Sequence, residues 1–189
     1  MWAVVTAAPS LSLECLRWAQ AAGFVHRADE AAGVTELRSE RGAPAKYLVR
    51  RPSTRRLELV EVDELHDERL VLFVAEADVL ERYLFGMFGD DIRADVDLPF
   101  VELRWDRGSL ATGYEIDDTN PAYQILTATD RGPVAAVPRS EVGLLALVPL
   151  SHFLAWSLAA LKRSFLDEHF RPLLSASGSY APPDLHKPT

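Results

Sequence analysis

Short apolar segments that alternate with turn residues constrain the fold of this chain more than any other feature of its sequence. In the first half of the chain they occupy residues 24–25, 34–38, 47–49, 57–62 and 70–74. The gaps between them are short, whereas a connection between parallel strands needs a dozen or more residues, so the pattern favours hairpins. The continuous apolar run at 70–74 is typical of a central strand. Further strands are predicted at residues 101–105, 112–116, 123–128 and 134–137.

Helical periodicity occurs near the N-terminus, in the middle and near the C-terminus of the chain. Ser10 or Ser12 can cap a first helix that ends near residue 22, and Gly23 supplies the left-handed stop. Residues 76–88 follow the helical period, and the predicted helix ends at Phe88-Gly89. Ser151 has the position of an N-cap for a last helix of about four turns. The apolar run at 141–150 fits either a short helix or a buried strand.

These elements predict an α+β fold with mostly antiparallel sheet(s) and an N-terminal, a middle and a C-terminal helix. A chain of 189 residues is long enough for one domain with a real core. We expect a single domain over residues 1–174. Residues 175–189 are rich in Ser and Pro, which predicts a flexible tail.

The overall charge limits the classes of partner. The formal net charge is -8 and the pI is about 5.1, which argues against a nucleic-acid binder because such proteins need cations to displace phosphate counterions. Cys15 is the only cysteine, so an internal disulfide is impossible and an oxidising compartment is not implied. No stretch approaches the length of a membrane span, and the N-terminus lacks the basic start of a signal peptide. We therefore expect a cytoplasmic protein without a membrane partner.

The charges are divided unevenly along the chain. From residue 38 to residue 56 there are seven basic residues and one acidic residue, whereas residues 58–97 hold thirteen acidic and three basic residues. Solvated surfaces that keep the molecule soluble explain most of these charges. An acidic surface also suits a basic partner, because opposite fields accelerate encounter.

Residues 80–100 contain the most unusual motif. It begins with an aromatic-glycine repeat that predicts a structural corner, made of Tyr83, Phe85, Gly86, Phe88 and Gly89. A glycine inside a helix costs about 1 kcal/mol relative to alanine, so Gly86 is expected to permit close packing. An acidic loop is predicted to follow and to be the surface that binds a partner, with Asp90, Asp91, Arg93, Asp95 and Asp97 as its charged residues.

Catalytic and metal-binding patterns were sought without success. His66 lies beside carboxylates, but its neighbours have no metal-ligand spacing, so a surface turn is the simpler interpretation. His152 follows the predicted N-cap and is interpreted as a residue on the helix surface. The aspartates at 90–97 lack the glycine and glutamate of a calcium loop. We predict no catalytic residue, no metal and no cofactor.

The same region resembles a known family. Tyr83-Leu84-Phe85-Gly86, Phe88-Gly89, Ile92-Arg93 and Leu98-Pro99 have the order and spacing found in actinobacterial immunity proteins that neutralise NAD glycohydrolase toxins of the tuberculosis necrotizing toxin type. Gly113-Tyr114, Leu150-Ser151-His152 and Arg171-Pro172-Leu173 resemble further motifs of that family, polymorphic-toxin immunity protein family 61. The resemblance covers residues 18–174. Ala94-Asp95-Val96-Asp97 departs from the pattern, where glycine or a basic residue is expected, and this departure bears on the choice of partner.

Three functions remain open from the sequence. The resemblance implies an immunity factor that blocks the active site of a cognate NAD-degrading toxin by forming a stoichiometric complex. A secretion chaperone would bind the same kind of toxin outside its catalytic cleft. A small hydrolase would use His66 or His152 with nearby carboxylates. Stoichiometric inhibition distinguishes the first function from turnover by the isolated protein.

Overall fold

A computed structural model of the chain describes residues 7–41, 46–54, 56–140 and 142–183. Within these ranges the strands are β1 (Phe24–Asp29), β2 (Val34–Ser39), β3 (Lys46–Ser53), β4 (Arg56–Val62), β5 (Glu68–Val74), β6 (Tyr114–Asp117), β7 (Tyr123–Ala128) and β8 (Gly132–Pro138). The α-helices are α1 (Leu13–Ala21), α2 (Ala77–Asp95), α3 (Gly143–Ala155) and α4 (Leu158–Leu166). None of the helices in the described ranges is long and apolar enough to cross a membrane.

The strands form one antiparallel sheet in the order β1-β2-β3-β4-β5-β8-β7-β6. This confirms the predicted α+β fold class, with helices near both termini and in the middle. It also confirms that residues 70–74 belong to a central strand, β5. The two predicted sets of strands meet in this one sheet, where β5 pairs with β8 through Phe73–Ala136 and Val74–Ala135. We call this short junction the seam.

The helices pack on one face of the sheet. Val49, Leu59 and Leu72 lie opposite one another on neighbouring strands and are completely buried in the main core. Leu48 and Val60 alternate with them and form a smaller cluster on the other face. Helix α2 contacts β4 and β5, and α3 contacts β7 and β8. The boundary between α2 and α3 therefore lies over the seam.

The first helix has the predicted ends. The Ser12 hydroxyl accepts a hydrogen bond from the Cys15 backbone N–H at 3.1 Å, which makes Ser12 the N-cap. After the helix, Gly23 has φ +77°, the left-handed conformation expected of a stop. Cys15 is completely buried, and burial raises the pKa of its thiol.

The predicted end of the middle helix is wrong. Helix α2 continues through Phe88 and Gly89 to Asp95, so most of the predicted acidic loop is helical. Glycine ends a helix only where the chain adopts a positive φ, and Gly89 keeps the helical conformation. The positive φ occurs later, at Asp97, with a value of 54°.

Two further predictions need correction. The ambiguous segment at 141–150 contributes to α3, and Ser151 lies buried inside that helix and not at its start. The N-cap of the last helix is Ser157, whose hydroxyl accepts from the Ala160 N–H. Residues 101–105 alternate like a strand but have no strand partner among the described residues. Val101 and Leu103 pack instead against the core.

Part of the predicted tail lies against the domain. The Tyr180 hydroxyl donates to the Arg104 carbonyl oxygen at 3.0 Å, and its ring stacks on His152 with the centroids 3.5 Å apart. Leu174 and Tyr180 also form an isolated β-bridge. Tyr180 is the one large aromatic residue of the segment and supplies these contacts. Residues 184–189 lie outside the described residues.

Candidate functional site

Two glycines allow α2 to approach its neighbours closely. A Cβ atom at Gly86 would overlap the ring of Phe153 on α3, and one at Gly89 would overlap the ring of Phe165 on α4. Both positions are therefore limited to glycine by packing, as expected for Gly86. The neighbouring residues Leu84, Phe85 and Phe88 of α2 are buried as well. The aromatic-glycine repeat thus belongs to the core and not to an exposed surface.

Arg93 holds three segments together. Its terminal nitrogens donate to the carbonyl oxygens of Phe165 at 2.9 Å, Asp167 at 2.7 Å and Pro99 at 2.8 Å. The first two carbonyls belong to the end of α4, where backbone acceptors lack helical partners. The guanidinium also lies over the Phe170 ring, with its central carbon 5.1 Å from the centroid. Arg93 therefore caps α4 and fixes the chain after α2.

Arg93 was predicted to be a charged residue of a partner-binding acidic loop, and the structure places it instead within α2. Only 3% of the residue is exposed, because its guanidinium is enclosed by the carbonyls it binds. Burial lowers the pKa of Arg93, although Asp90 and Asp167 oppose that effect. The motifs Ile92-Arg93 and Leu98-Pro99 are thus explained by a structural contact within the chain.

The predicted acidic residues lie together at the end of α2 and just beyond it. Asp90, Asp95 and Asp97 are exposed, and Asp91 is half-buried. Asp95 forms an ion pair with Arg41 of the basic segment. Burial raises the pKa of the Asp91 carboxyl, against the effect of Arg41. The partner-binding role of these four aspartates stays a prediction.

Elsewhere in the fold, basic side chains lie next to acidic ones, so the charge is distributed more evenly in space than along the sequence. Arg50 of β3 pairs with Glu68 of β5, Arg56 pairs with Glu58, and Arg69 pairs with Glu61. These pairs, formed within β4 or between strands of the same sheet, place basic and acidic side chains side by side. The basic segment is consequently a mixed-charge surface and not a separate basic face.

A groove lies between α2, residues 98–106 and α3. Its volume is about 500 Å³, and it is lined by Tyr83, Gly86, Met87, Asp90, Phe100, Val101, Glu102, Leu103, Trp105, Leu145, Ala146, Pro149 and Phe153. We call it the α2–α3 groove. Three of its large apolar side chains are open to solvent: Phe100 is 89% exposed, Leu145 48% and Trp105 42%. Exposed apolar side chains clustered in this way mark an interaction surface.

The charged groups that line the α2–α3 groove are both acidic. They are Asp90 and Glu102, and no lysine or arginine is among the lining residues. Displacement of water around its carboxyl, with the charge of Asp91 adding to the effect, raises the pKa of Asp90 to about 6. Tyr83 also lines the groove, and burial raises the pKa of its hydroxyl to about 12. The groove is thus suited to an apolar group that carries positive charge.

Sequence reasoning located Asp90 but missed Phe100, Trp105 and Leu145. Phe100 was noted only as the end of the acidic segment, Trp105 was assigned to a strand, and Leu145 lay in an ambiguous run. One feature of the sequence could have identified this segment: residues 98–105 are rich in apolar side chains but lack a turn signal for a hairpin. No local pattern indicates that this segment faces α3.

His66 and His152, the two histidines considered for catalysis, have different surroundings. His66 has φ 68° in the turn between β4 and β5, where the Asp63 carboxylate accepts from two backbone N–H groups. His152 is buried, contrary to its predicted place on a helix surface, and its Nε2–H donates to the Ser109 carbonyl oxygen at 2.7 Å. Burial lowers the pKa of His152. No cluster of three or more metal-ligating side chains occurs in the described part of the chain.

Known proteins share both the sequence pattern and the fold. The family model described as immunity protein 61 matches residues 18–173. The immunity factor for TNT of Mycobacterium tuberculosis and its homolog in Mycobacterium bovis are 32% identical over 120 residues, 62% of this chain. The chain spans 66% of the length of these curated relatives.

A solved structure agrees with this result. Rv3902c from M. tuberculosis superimposes with a TM-score of 0.79 at 26% sequence identity, covering 89% of this chain and 96% of that one. The family match extends from Trp18, which hydrogen-bonds α2, to Leu173 beside the Arg93 contacts. It therefore includes both the scaffold around α2 and the α2–α3 groove. On this match, the chain belongs to the immunity protein 61 family.

Proposed function

We propose that this chain is an immunity factor that binds a cognate NAD-degrading toxin and blocks its active site in a stoichiometric complex. The observation that carries the proposal is the family match over residues 18–173, together with relatives named as immunity factors for TNT. The chain acts in this proposal as an inhibitor and not as an enzyme. It acts in the cytoplasm, where the NAD it protects is found.

The charge of the molecule supports this partner. An enzyme that binds a dinucleotide presents cations to its phosphates, and carboxylates on an inhibitor can pair with those cations. This chain has a net charge of -8 and gathers Asp90, Asp91, Asp95 and Asp97 at one end of α2. The exposed apolar side chains beside them supply area that a stable complex can bury.

The first experiment measures inhibition. An NAD-degrading toxin domain of the TNT type is titrated with the purified chain while NAD consumption is followed. We expect activity to fall linearly to zero at a molar ratio of one. A complex that forms but leaves the toxin active would favour the secretion chaperone. NAD turnover or hydrolysis by the purified chain, lost on substitution of His66 or His152, would show that it is an enzyme.

The second experiment tests the acidic end of α2. Reversing Asp90 and Asp91 together to lysine should slow association with the toxin at least tenfold at low salt, and less at high salt, because screening weakens steering. Glu64 and Asp130 are exposed acidic residues on the turns β4–β5 and β7–β8. Their joint reversal makes the same change in net charge and should have a clearly smaller effect. Equal effects of the two double variants would mean that the end of α2 has no special role.

A further inference from the structure

The α2–α3 groove displays large apolar side chains that the fold itself does not cover. Phe100 is almost fully exposed, and Trp105 and Leu145 border the same space. Met87 and Phe153 also line the groove, so an entering side chain would meet further apolar surface. Aromatic residues around such a recess are typical anchors of protein interfaces.

The fold also leaves the charges of this groove unmatched. Other carboxylates find cations within the chain, as Asp95 does with Arg41 and Glu61 with Arg69. Asp90 and Glu102 form no ion pair with the described residues. The cation nearest to Asp90 along the helix is Arg93, whose terminal nitrogens are bound to backbone carbonyls. Asp90 and Glu102 are exposed carboxylates without a cation from the described residues, so a ligand that carries a cation can pair with them.

We propose that the α2–α3 groove receives a surface element of the toxin in which a lysine or arginine is flanked by apolar side chains. The cation pairs with Asp90, and the apolar side chains pack on Phe100, Trp105 and Leu145. This inference rests on the proposed function, because it takes the toxin as the partner. It goes beyond that function in two respects. It states that the toxin contacts this groove, and it states which kinds of side chain the toxin places there.

Charge complementarity favours such a partner over a second copy of this chain. Each copy has a net charge of -8, and two grooves brought together would confront Asp90 and Glu102 with further carboxylates. A basic element removes this repulsion and supplies the cation that Asp90 lacks. The volume of about 500 Å³ is in the range of pockets that enclose a ligand of several side-chain equivalents.

The apolar contact is tested with a matched pair of truncations. Phe100→Ala and Leu65→Ala each remove one exposed apolar side chain, since Leu65 is 82% exposed in the turn between β4 and β5. Both variants should unfold at the temperature of the wild type. With the same NAD-degrading toxin domain as the probe, we expect Phe100→Ala to raise the Kd at least tenfold. Leu65→Ala should leave it within twofold.

The polar contact is tested with Asp90→Asn, which keeps the shape of the side chain and removes its charge. A cation held in the groove predicts faster dissociation, by at least fivefold, with most of the effect retained at high salt because the pair is shielded from solvent. Glu64→Gln on the exposed turn is the control and should leave the dissociation rate unchanged. If Asp90→Asn slows association without speeding dissociation, Asp90 lies at the rim of the interface, and the proposal that a cation is inserted in the groove is wrong.

The outcomes separate the inference from the function on which it rests. If the wild type inhibits the toxin and both groove variants bind it normally, the groove assignment is wrong and the immunity function stands. If the wild type binds no toxin, the groove assignment and the immunity function are both wrong. If the free chain is a dimer in solution and Phe100→Ala converts it to a monomer, a second copy occupies the groove and the inference is overturned.

Discussion

Asp90 and Arg93 lie three residues apart on the same helix, yet the fold treats their charges in opposite ways. Arg93 is enclosed, and its terminal nitrogens bind carbonyl oxygens at the ends of two other segments. Asp90 borders an open groove without an ion pair from the described residues. Two nearby positions of α2 thus have different roles: Arg93 completes the scaffold, and Asp90 leaves a charge available.

This difference separates structural from functional charge without reference to other sequences. A charged group whose partners are backbone atoms of its own chain stabilises the fold and has little left to offer another molecule. A carboxylate kept partly dehydrated and unpaired reduces the stability of the free chain, and a partner can recover that free energy. Substitutions of Arg93 and of Asp90 should therefore change stability in opposite directions.

The largest effect is expected for Arg93→Leu. The substitution leaves carbonyl oxygens of Phe165, Asp167 and Pro99 buried without donors, and each such loss costs about 1–3 kcal/mol. We expect the free energy of unfolding, measured by urea denaturation, to fall by about 3 kcal/mol or more. Arg93→Lys should recover part of it, because one ammonium cannot reach all the carbonyls in the geometry of the guanidinium. A loss below about 1 kcal/mol for Arg93→Leu would contradict the structural role.

A smaller effect is expected for Gly89→Ala on the same side of α2. In an unpacked helix this change would stabilise by about 1 kcal/mol. Here the new methyl group overlaps the Phe165 ring, and overpacking costs about 1–3 kcal/mol, so a net loss of up to about 2 kcal/mol is predicted. Thermal or urea unfolding measures the change in stability: a loss supports the close contact with Phe165, and a gain contradicts it. Combining Gly89→Ala with Phe165→Leu, which shortens the obstructing side chain, should cost less than the two changes added separately.

The smallest effect, and the opposite sign, is expected for Asp90→Asn. The folded protein raises the pKa of Asp90 from 3.8 to about 6, so protonation favours the folded state. That contribution is fully present below pH 3.8 and is lost as the pH rises through about 6. The neutral variant should therefore be more stable than wild type at pH 7, by less than about 1 kcal/mol because solvent screens the exposed carboxyl. The difference should vanish near pH 3.5 in unfolding curves measured across this range.

The sequence predicted those parts of the fold that depend on local pattern. Alternating apolar segments with short gaps were sufficient to predict the antiparallel sheet. Ser12 and Gly23 were sufficient to predict the two ends of α1. Errors arose where distant packing overrides a local signal. Gly89 was taken as a helix stop, but the Phe165 ring, which lies far along the chain, explains the glycine. Ser151 was taken as a cap, but its hydroxyl donates to Val148 and accepts from Ala111 inside the core.

The candidate site was predicted in part. Carboxylates are conspicuous in a sequence, so Asp90, Asp91, Asp95 and Asp97 were identified as a group, and the structure keeps them at one end of α2. Their apolar neighbours were missed because Trp105 and Leu145 become adjacent to Met87 only after α3 folds beside α2. Arg93 was misplaced for the same reason, since its binding partners lie about seventy residues away.

The seam between the two halves of the sheet gives the molecule a natural line of separation. β5 and β8 meet at two residue pairs, whereas the other neighbouring strands pair over at least four. Cooperative units divide where few backbone bonds must break, so β6, β7, β8 and α3 form a candidate unit for sub-global opening. The α2–α3 groove bridges this line on the helical face. A molecule bound there would contact both units and oppose their separation. Amide hydrogen exchange would then become slower well beyond the residues that the molecule contacts.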